Sequence, residues 1–263
     1  MRSEETKLHK KQERKQSAWI RTKEENRYKE IPIPADADSQ KRLLRSLMNI
    51  RMPKEIDKEF LNVQDEYLRQ LREDRGITDL KDLSLIREGI YLWQGDITLL
   101  RCDAIVNAAN AQMLGCFVPC HACIDNCIHT YAGIQLRYEC SRIMEKQGHE
   151  EKTGTAKITK AYNLPCRYVI HTVGPIIEDL PTRKDEKLLS DCYRSCLELA
   201  DANGLRSIAF CCISTGVFRF PNRRAAEIAV STVNEYKKET KTSIEVIFNV
   251  YKDIDRQIYE ELL

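Results

Sequence analysis

From about residue 84 onward, short β-branched runs alternate with longer stretches of helical periodicity. This alternation restricts the fold more than any other feature of the chain. The strand candidates are IYLWQ (90–94), AIVNAA (104–109), AKITKAY (156–162), YVIHTV (168–173), SIAFCCI (207–213) and SIEVIFNV (243–250), with helical patterns near 124–145, 184–203, 222–240 and 253–262. Runs that are apolar on both faces and separated by helices predict an α/β protein: a central, largely parallel sheet between two helical layers. Upstream, Asp38 or Ser39 is placed to cap a helix over 41–48, where Leu43, Leu44, Leu47 and Met48 fall at helical spacing. Pro53 opens another helix through Phe60, Val63, Tyr67 and Leu71, and Gly76 ends it. The chain therefore divides into residues 1–30, which are a disordered tail or a solvated helix, a helical extension over 31–83, and an α/β domain over 84–263.

Charge excludes some partners. The 42 Lys and Arg nearly balance the 40 Asp and Glu, leaving a net charge of +2. No field of one sign predicts a nucleic acid or a membrane as partner for the whole molecule. Residues 1–30 are locally basic, with ten Lys/Arg against six Asp/Glu. No run reaches the roughly 18 apolar residues of a membrane helix, and the charged N-terminus lacks the apolar core of a secretory signal, so the protein is expected in the cytoplasm. In that reducing compartment the 11 cysteines, all between Cys102 and Cys212, are not read as a disulfide framework. Several, such as Cys211 and Cys212, read as small buried hydrophobes.

The densest chemistry is GCFVPCHACIDNCIH (115–129), four cysteines and two histidines in fifteen residues. Cys116, His121 and Cys123 have the spacing C-x4-H-x-C, and thiolate and imidazole are zinc's preferred ligands. Gly115 and Pro119 make the segment a loop, which can wrap three side chains around one ion. A closed structural knuckle and a set of buried thiols share this spacing. Cys120 and Cys127 stand as possible fourth ligands of a closed site. Cys120 is expected to point away from the ion and Cys127 to fall on the helix that follows. In an open α/β sheet, ligands bind outside the carboxyl ends of the strands, where three polar loops follow strands at 94–98, 107–115 and 214–218.

WQGDIT (93–98), NAAN (107–110), the cysteine-rich loop before CIDN, HTVGP (171–175) and ISTGVFRFP (213–221), in that order, resemble a macrodomain. GCFVPCHACID (115–125) narrows the resemblance to the zinc-dependent macrodomains, protein-ADP-ribose hydrolases encoded beside a sirtuin-type ADP-ribosyltransferase and a lipoyl-carrier protein. The resemblance runs from about residue 31 to the end. It implies a three-layer α/β/α macrodomain with a mixed, largely parallel sheet and an N-terminal helical extension, one zinc ion per chain, and ADP-ribose as ligand. Its implied partner is an ADP-ribosylated protein, with a lipoyl carrier as a candidate. The implied activity is removal of mono-ADP-ribose from acidic side chains. Two other functions fit the same residues: a non-catalytic ADP-ribose reader with structural zinc, and an O-acetyl-ADP-ribose deacetylase.

Carried over by position, the resemblance gives each site residue a role. Asp96 would accept from the adenine amino group, beside the backbone of Ile97. Asn107 and Asn110 would approach the distal ribose, Asn107 being the more structural of the two. Ser214, Thr215, Gly216, Val217 and Phe218 would form the phosphate loop, a run of backbone N–H groups needing no lysine. Phe218 would pack on the distal ribose or plug the core. Ile124 would line the cleft. Asp125, with Asn110 the candidate catalytic residue, would orient water or hold the ribose; as a bare sequence feature it is also a helix N-cap. The zinc loop stands where other hydrolytic macrodomains have a glycine-rich loop, which places Cys116, His121 and Cys123 next to the distal ribose and favours a catalytic metal. His129, one turn beyond Asp125, and His171 read as satisfied core histidines.

Overall fold

In the computed structural model the described residues are Glu13 and 31–263. The reading of the tail over 1–30 lies outside them, Glu13 apart. A seven-stranded sheet forms the centre, in the order β2-β3-β9-β8-β5-β7-β6. Its strands are β2 (Leu85–Arg87), β3 (Ile90–Gln94), β5 (Ala104–Ala109), β6 (Ala156–Lys160), β7 (Tyr168–Val173), β8 (Ser207–Phe210) and β9 (Glu245–Val250). The five inner strands are parallel, whereas β2 and β6 run antiparallel at the two edges. Strands β5, β7, β8 and β9 are buried along nearly their whole length, because helices cover both faces of the sheet. The architecture is the expected three-layer α/β/α sandwich.

The helices are α1 (Ala37–Ile50), α2 (Lys58–Arg75), α3 (Ile124–Ala132), α4 (Ile134–Gln147), α5 (Arg183–Ala202), α6 (Asn222–Thr240) and α7 (Asp253–Leu262). Several boundaries differ from the sequence reading, each for a local reason. The cap of α1 is Asp36, not Asp38 or Ser39; its Oδ1 accepts from the Ser39 amide at 2.8 Å. α2 starts at Lys58 under the Asp57 cap, five residues after Pro53. The single helix expected over 124–145 is two helices broken at Gly133, whose φ of +100° is open to glycine. A Cβ there would stand 2.4 Å from Gln135 Oε1 and 2.7 Å from Gln64 Nε2. The strands beginning at 156 and 207 stop at Lys160 and Phe210, short of their apolar runs.

The helical extension is tied into the domain. Leu44, Leu47 and Met48 of α1 pack with Phe60, Tyr67 and Leu68 of α2 and with Ile134 of α4. The short β1 (Thr78–Asp79) pairs in parallel with β4 (Leu100–Arg101), so residues just before the sheet are already bonded to the loop after β3. Gln64 donates to Gln135 Oε1 at 2.6 Å, and its Oε1 accepts from the Ile134 amide at 3.0 Å, capping the start of α4 across the junction.

Candidate active site

Parallel pairing brings the carboxyl ends of β3, β9, β8, β5 and β7 to one sheet edge. The loops that leave them carry Asp96, Ile97, Asn110 and Ser214 to Phe218, while Asn107 lies on β5 itself and Ile124 and Asp125 open α3. After β3, Asp96 caps the one-turn helix Ile97–Leu99, its Oδ1 accepting from the Thr98 amide at 2.9 Å and the Thr98 hydroxyl at 2.6 Å. Its other oxygen pairs with Arg75 at the end of α2, and the Arg75 guanidinium lies 4.2 Å from the centre of the Tyr131 ring. The Ile97 side chain is buried. Two residues the sequence reading passed over complete this end. Asn249 on β9 donates to the carbonyls of Trp93 and Gly95 and holds the turn, and Tyr251, just past β9, is 75 % exposed. Their signal was position alone: both lie at the carboxyl end of the strand that pairs with β3.

After β8, the chain turns through Ser214 at φ +64°. The Ser214 hydroxyl is buried and makes no hydrogen bond among the described residues. It sits so close to Gly174 that a Cβ there would lie 2.0 Å from it. Among the described residues no hydrogen bond occupies the amides of Gly216, Val217 and Phe218, and Gly216 has open space above it. A run of free N–H groups is the kind of backbone that can bind an anion. The residue that plugs the core here is Phe220, 1 % exposed, while Phe218 is half-buried.

After β5 comes the cysteine-rich loop. Asn107, in register with His171 of β7, is fully buried; its amide donates to Asp125 Oδ1 at 2.8 Å and stands 3.1 Å from His171 Nδ1. Asn107 thus orients the neighbouring acid from beneath and does not itself face the cleft. Asp125 is the second residue of α3, and the cap is Cys123, whose Sγ accepts from the Asn126 amide at 3.4 Å. Burial pushes the Asp125 carboxyl up to about 6, against the Asn107 hydrogen bond and the charge of Arg137. Asn110 is half-buried and donates to the Gly115 carbonyl at 3.2 Å, while its own carbonyl oxygen has no hydrogen-bond partner among the described residues. Ile124 is half-buried against the core.

Cys116 Sγ lies 3.5 Å from His121 Nδ1, and the ligating atoms of Cys116, His121 and Cys123 all fall within 4.8 Å of one another. Tetrahedral zinc, with bonds of about 2.3 Å to sulfur and about 2.0 Å to nitrogen, spaces its ligands by roughly 3.5 to 3.8 Å. The donor set and its spacing therefore suit zinc. Burial, with the nearby Cys116 and Asp125, pushes the Cys123 thiol up to about 12 in spite of its helix amide; a cation bound between the sulfurs would reverse that preference. Cys120, at φ +54°, turns its thiol to the Ser46 hydroxyl at 3.3 Å, and Cys127 Sγ faces Arg45 at 3.5 Å.

The structure differs from the reading of His129 as a satisfied core histidine. The ring is buried under Gly115, yet neither nitrogen makes a hydrogen bond among the described residues; the nearest carboxylate oxygen, on Asp125, is 3.6 Å from Nε2. Burial, aided by His171 and Arg137, keeps this imidazole neutral. His171 is held at both nitrogens, by Asn107 at 3.1 Å and by Thr159 Oγ1 at 2.9 Å.

Residues 106–229 of this α/β/α sandwich match the Macro domain family. The chain belongs to the macrodomain family. Within it, the chain is 56 % identical over 245 residues to a protein-ADP-ribose hydrolase of Treponema medium, covering 92 % of this chain and 94 % of that one. It is 52 % identical over 233 residues to the protein-ADP-ribose hydrolase of Staphylococcus aureus strain MSSA476, covering 88 % of this chain and 87 % of the other. The solved macrodomain of Trypanosoma brucei in complex with ADP-ribose aligns with a TM-score of 0.65 at 31 % identity, over 83 % of this chain and 94 % of that one. Among the described residues, no helix is long and apolar enough to cross a membrane.

Proposed function

We propose that the protein is a zinc-dependent hydrolase that removes mono-ADP-ribose from acidic side chains of modified proteins. The observation that carries the reading is the convergence of Cys116, His121 and Cys123 on the loop between Asn110 and Asp125, at the sheet edge that also carries the phosphate-type cradle. The diphosphate sits on the amides of 216–218, and the adenine reaches the Asp96 turn. The distal ribose then falls between Asn110 and Asp125, where an amide and a carboxyl bind its hydroxyls and hold its orientation. When bound, zinc would supply a Lewis acid for the ribose or for the leaving carboxylate oxygen. The reader alternative needs a closed structural site with four protein ligands. Cys120 and Cys127 turn toward α1 instead, which favours the open, catalytic form. A lipoyl-carrier protein remains the candidate partner, on family grounds.

The test is release of ADP-ribose from proteins modified on carboxylates and on arginine, beside hydrolysis of O-acetyl-ADP-ribose. Release from the carboxylate-linked protein alone is expected. Binding of ADP-ribose without release would establish the reader, and preferential deacetylation would establish the third function.

The cradle carries its own prediction. Gly174→Ala puts a methyl group where the Ser214 hydroxyl stands. The loop must then move, and the affinity for free ADP-ribose should fall at least tenfold in a titration calorimeter, with little change in metal content. Unaltered affinity would remove the 214–218 loop from the binding site.

A further inference from the structure

The helical extension presents two faces. Leu44, Leu47 and Met48 form the apolar stripe of α1. Arg42, Arg45, Ser46 and Asn49 recur at the same helical spacing on another side, and that side lies on the cysteine-rich loop. Asn49 Oδ1 accepts from the Cys120 amide at 2.9 Å, and its amide donates to Thr130 Oγ1 of α3 at 2.9 Å. Ser46 Oγ lies against Cys120 Sγ, and Arg42 contributes only its carbonyl. Arg45 reaches furthest. A single nitrogen, Nη2, donates to the His121 carbonyl at 2.8 Å and to Asn126 Oδ1 at 2.9 Å. Asn126 in turn donates through its side chain to the carbonyls of Cys116 and Val118 and through its backbone to Cys123 Sγ. One guanidinium nitrogen therefore fixes the peptide of His121 and, through Asn126, the segments that carry Cys116 and Cys123.

We infer that Arg45 is a positioning residue of the metal site, so that the N-terminal helical extension, and not the α/β domain alone, sets the affinity for the ion. The inference rests on the reading of Cys116, His121 and Cys123 as the zinc ligands. The outer partners of metal ligands typically contribute 10–100-fold in metal affinity. Arg45 is more than a link between extension and domain, since Arg137 and the apolar stripe already dock α1 without it. Arg45 Nε is buried and makes no hydrogen bond among the described residues. Lysine lacks that nitrogen and carries its three donors on one, as the hydrogen bonds here require; it gives up only the guanidinium's place 5.9 Å from the centre of the Tyr131 ring. Lysine should therefore substitute for arginine here, although it seldom does where a guanidinium binds through its fork.

The experiment measures zinc affinity of the full chain by competition with a chromogenic chelator, together with the thermal midpoint of each metal-free protein. Arg45→Met is expected to bind zinc at least tenfold more weakly, with its metal-free midpoint within a few degrees of wild type. Arg45→Lys should stay within about threefold of wild type, and Arg42→Ala, changed on the same helix face, should match it. If the Met variant does not fold, Arg45→Gln serves, since its shorter amide reaches at most one of the two acceptors and the same tenfold loss is expected. Zinc affinity of the Met or Gln variant equal to wild type overturns the inference. So does an equal loss in the Lys variant accompanied by a lowered metal-free midpoint, which would mark Arg45 as a support of the fold. A wild-type chain that takes up no zinc overturns the metal reading itself, and is told apart by the absence of any metal to lose.

Discussion

Replacing His121 with alanine is expected to slow release of ADP-ribose from a modified protein at least 100-fold, while affinity for free ADP-ribose changes less than about threefold. The split follows from where the parts sit. The imidazole's hydrogen-bond contact is Cys116 Sγ, and the His121 amide and carbonyl, which bond to Val118 and Arg45, survive the substitution. The loop therefore keeps its course without the ring. The Asp96 turn leaves β3 and the 214–218 loop leaves β8, so neither depends on the side chain at 121. On the proposed reading, what is lost is one of three metal ligands beside the distal ribose. A 100-fold loss corresponds to about 2.7 kcal/mol of transition-state stabilisation, within the range expected when a charge-stabilising group is removed. Release assays beside calorimetric titration of ADP-ribose check both halves. Equal losses of turnover and binding would show that His121 supports the loop and not the chemistry.

Arg137→Met is expected to lower the stability of the whole chain by about 3 kcal/mol or more, since hydrogen bonds to a buried charged group each contribute about 1.5 to 3 kcal/mol. Arg137 is 4 % exposed, and every donor contact it makes is to a backbone carbonyl. Nε bonds to Leu114, Nη1 to Met48, Asn49 and Arg51, and Nη2 to Cys116. The residue thus caps the C-terminal end of α1 with a positive charge and ties it to the start of the metal loop. Burial pulls the guanidinium down to about 10, against the pull of Asp125 and Cys116, so it stays charged at neutral pH. Methionine fills the space but leaves those carbonyls dry and unpaired. Urea denaturation followed by far-UV circular dichroism measures the loss. A change below about 1 kcal/mol would contradict the account of how the extension is held.

Much of the architecture was legible because it rests on local pattern. The β-branched runs at 104–109, 168–173 and 245–250 are strands because they are apolar on both faces, and the loops that follow them share an edge because the strands are parallel. The trio Cys116, His121 and Cys123 was legible from residue type and spacing within one loop. The features that escaped depend on contacts far apart in sequence. Gly133 takes the φ of +100° at the helix break, and Gln64, on the extension, shares with Gln135 the space a side chain there would need. The burial of Asn107 follows from its register with His171 on β7, and the close packing of Gly174 on Ser214 joins two loops some forty residues apart. Buried imidazoles usually find hydrogen-bond partners, and that neither nitrogen of His129 has one among the described residues shows only once the packing around Gly115 is known. The polar face of α1 was present as Arg42, Arg45, Ser46 and Asn49 at helical spacing, but a solvated helix shows the same pattern. Only the structure places the cysteine-rich loop against it.

On the proposed reading, an ion held by Cys116, His121 and Cys123 is required for cleavage and not for folding. The most direct measurement strips the purified chain with a chelator, records metal content and circular dichroism, and follows release of ADP-ribose from a carboxylate-modified protein before and after zinc is restored. About one zinc per chain is expected before stripping, with an unchanged fold after it, loss of release, and recovery when zinc returns. Release that continues undiminished in the metal-free chain would contradict that reading.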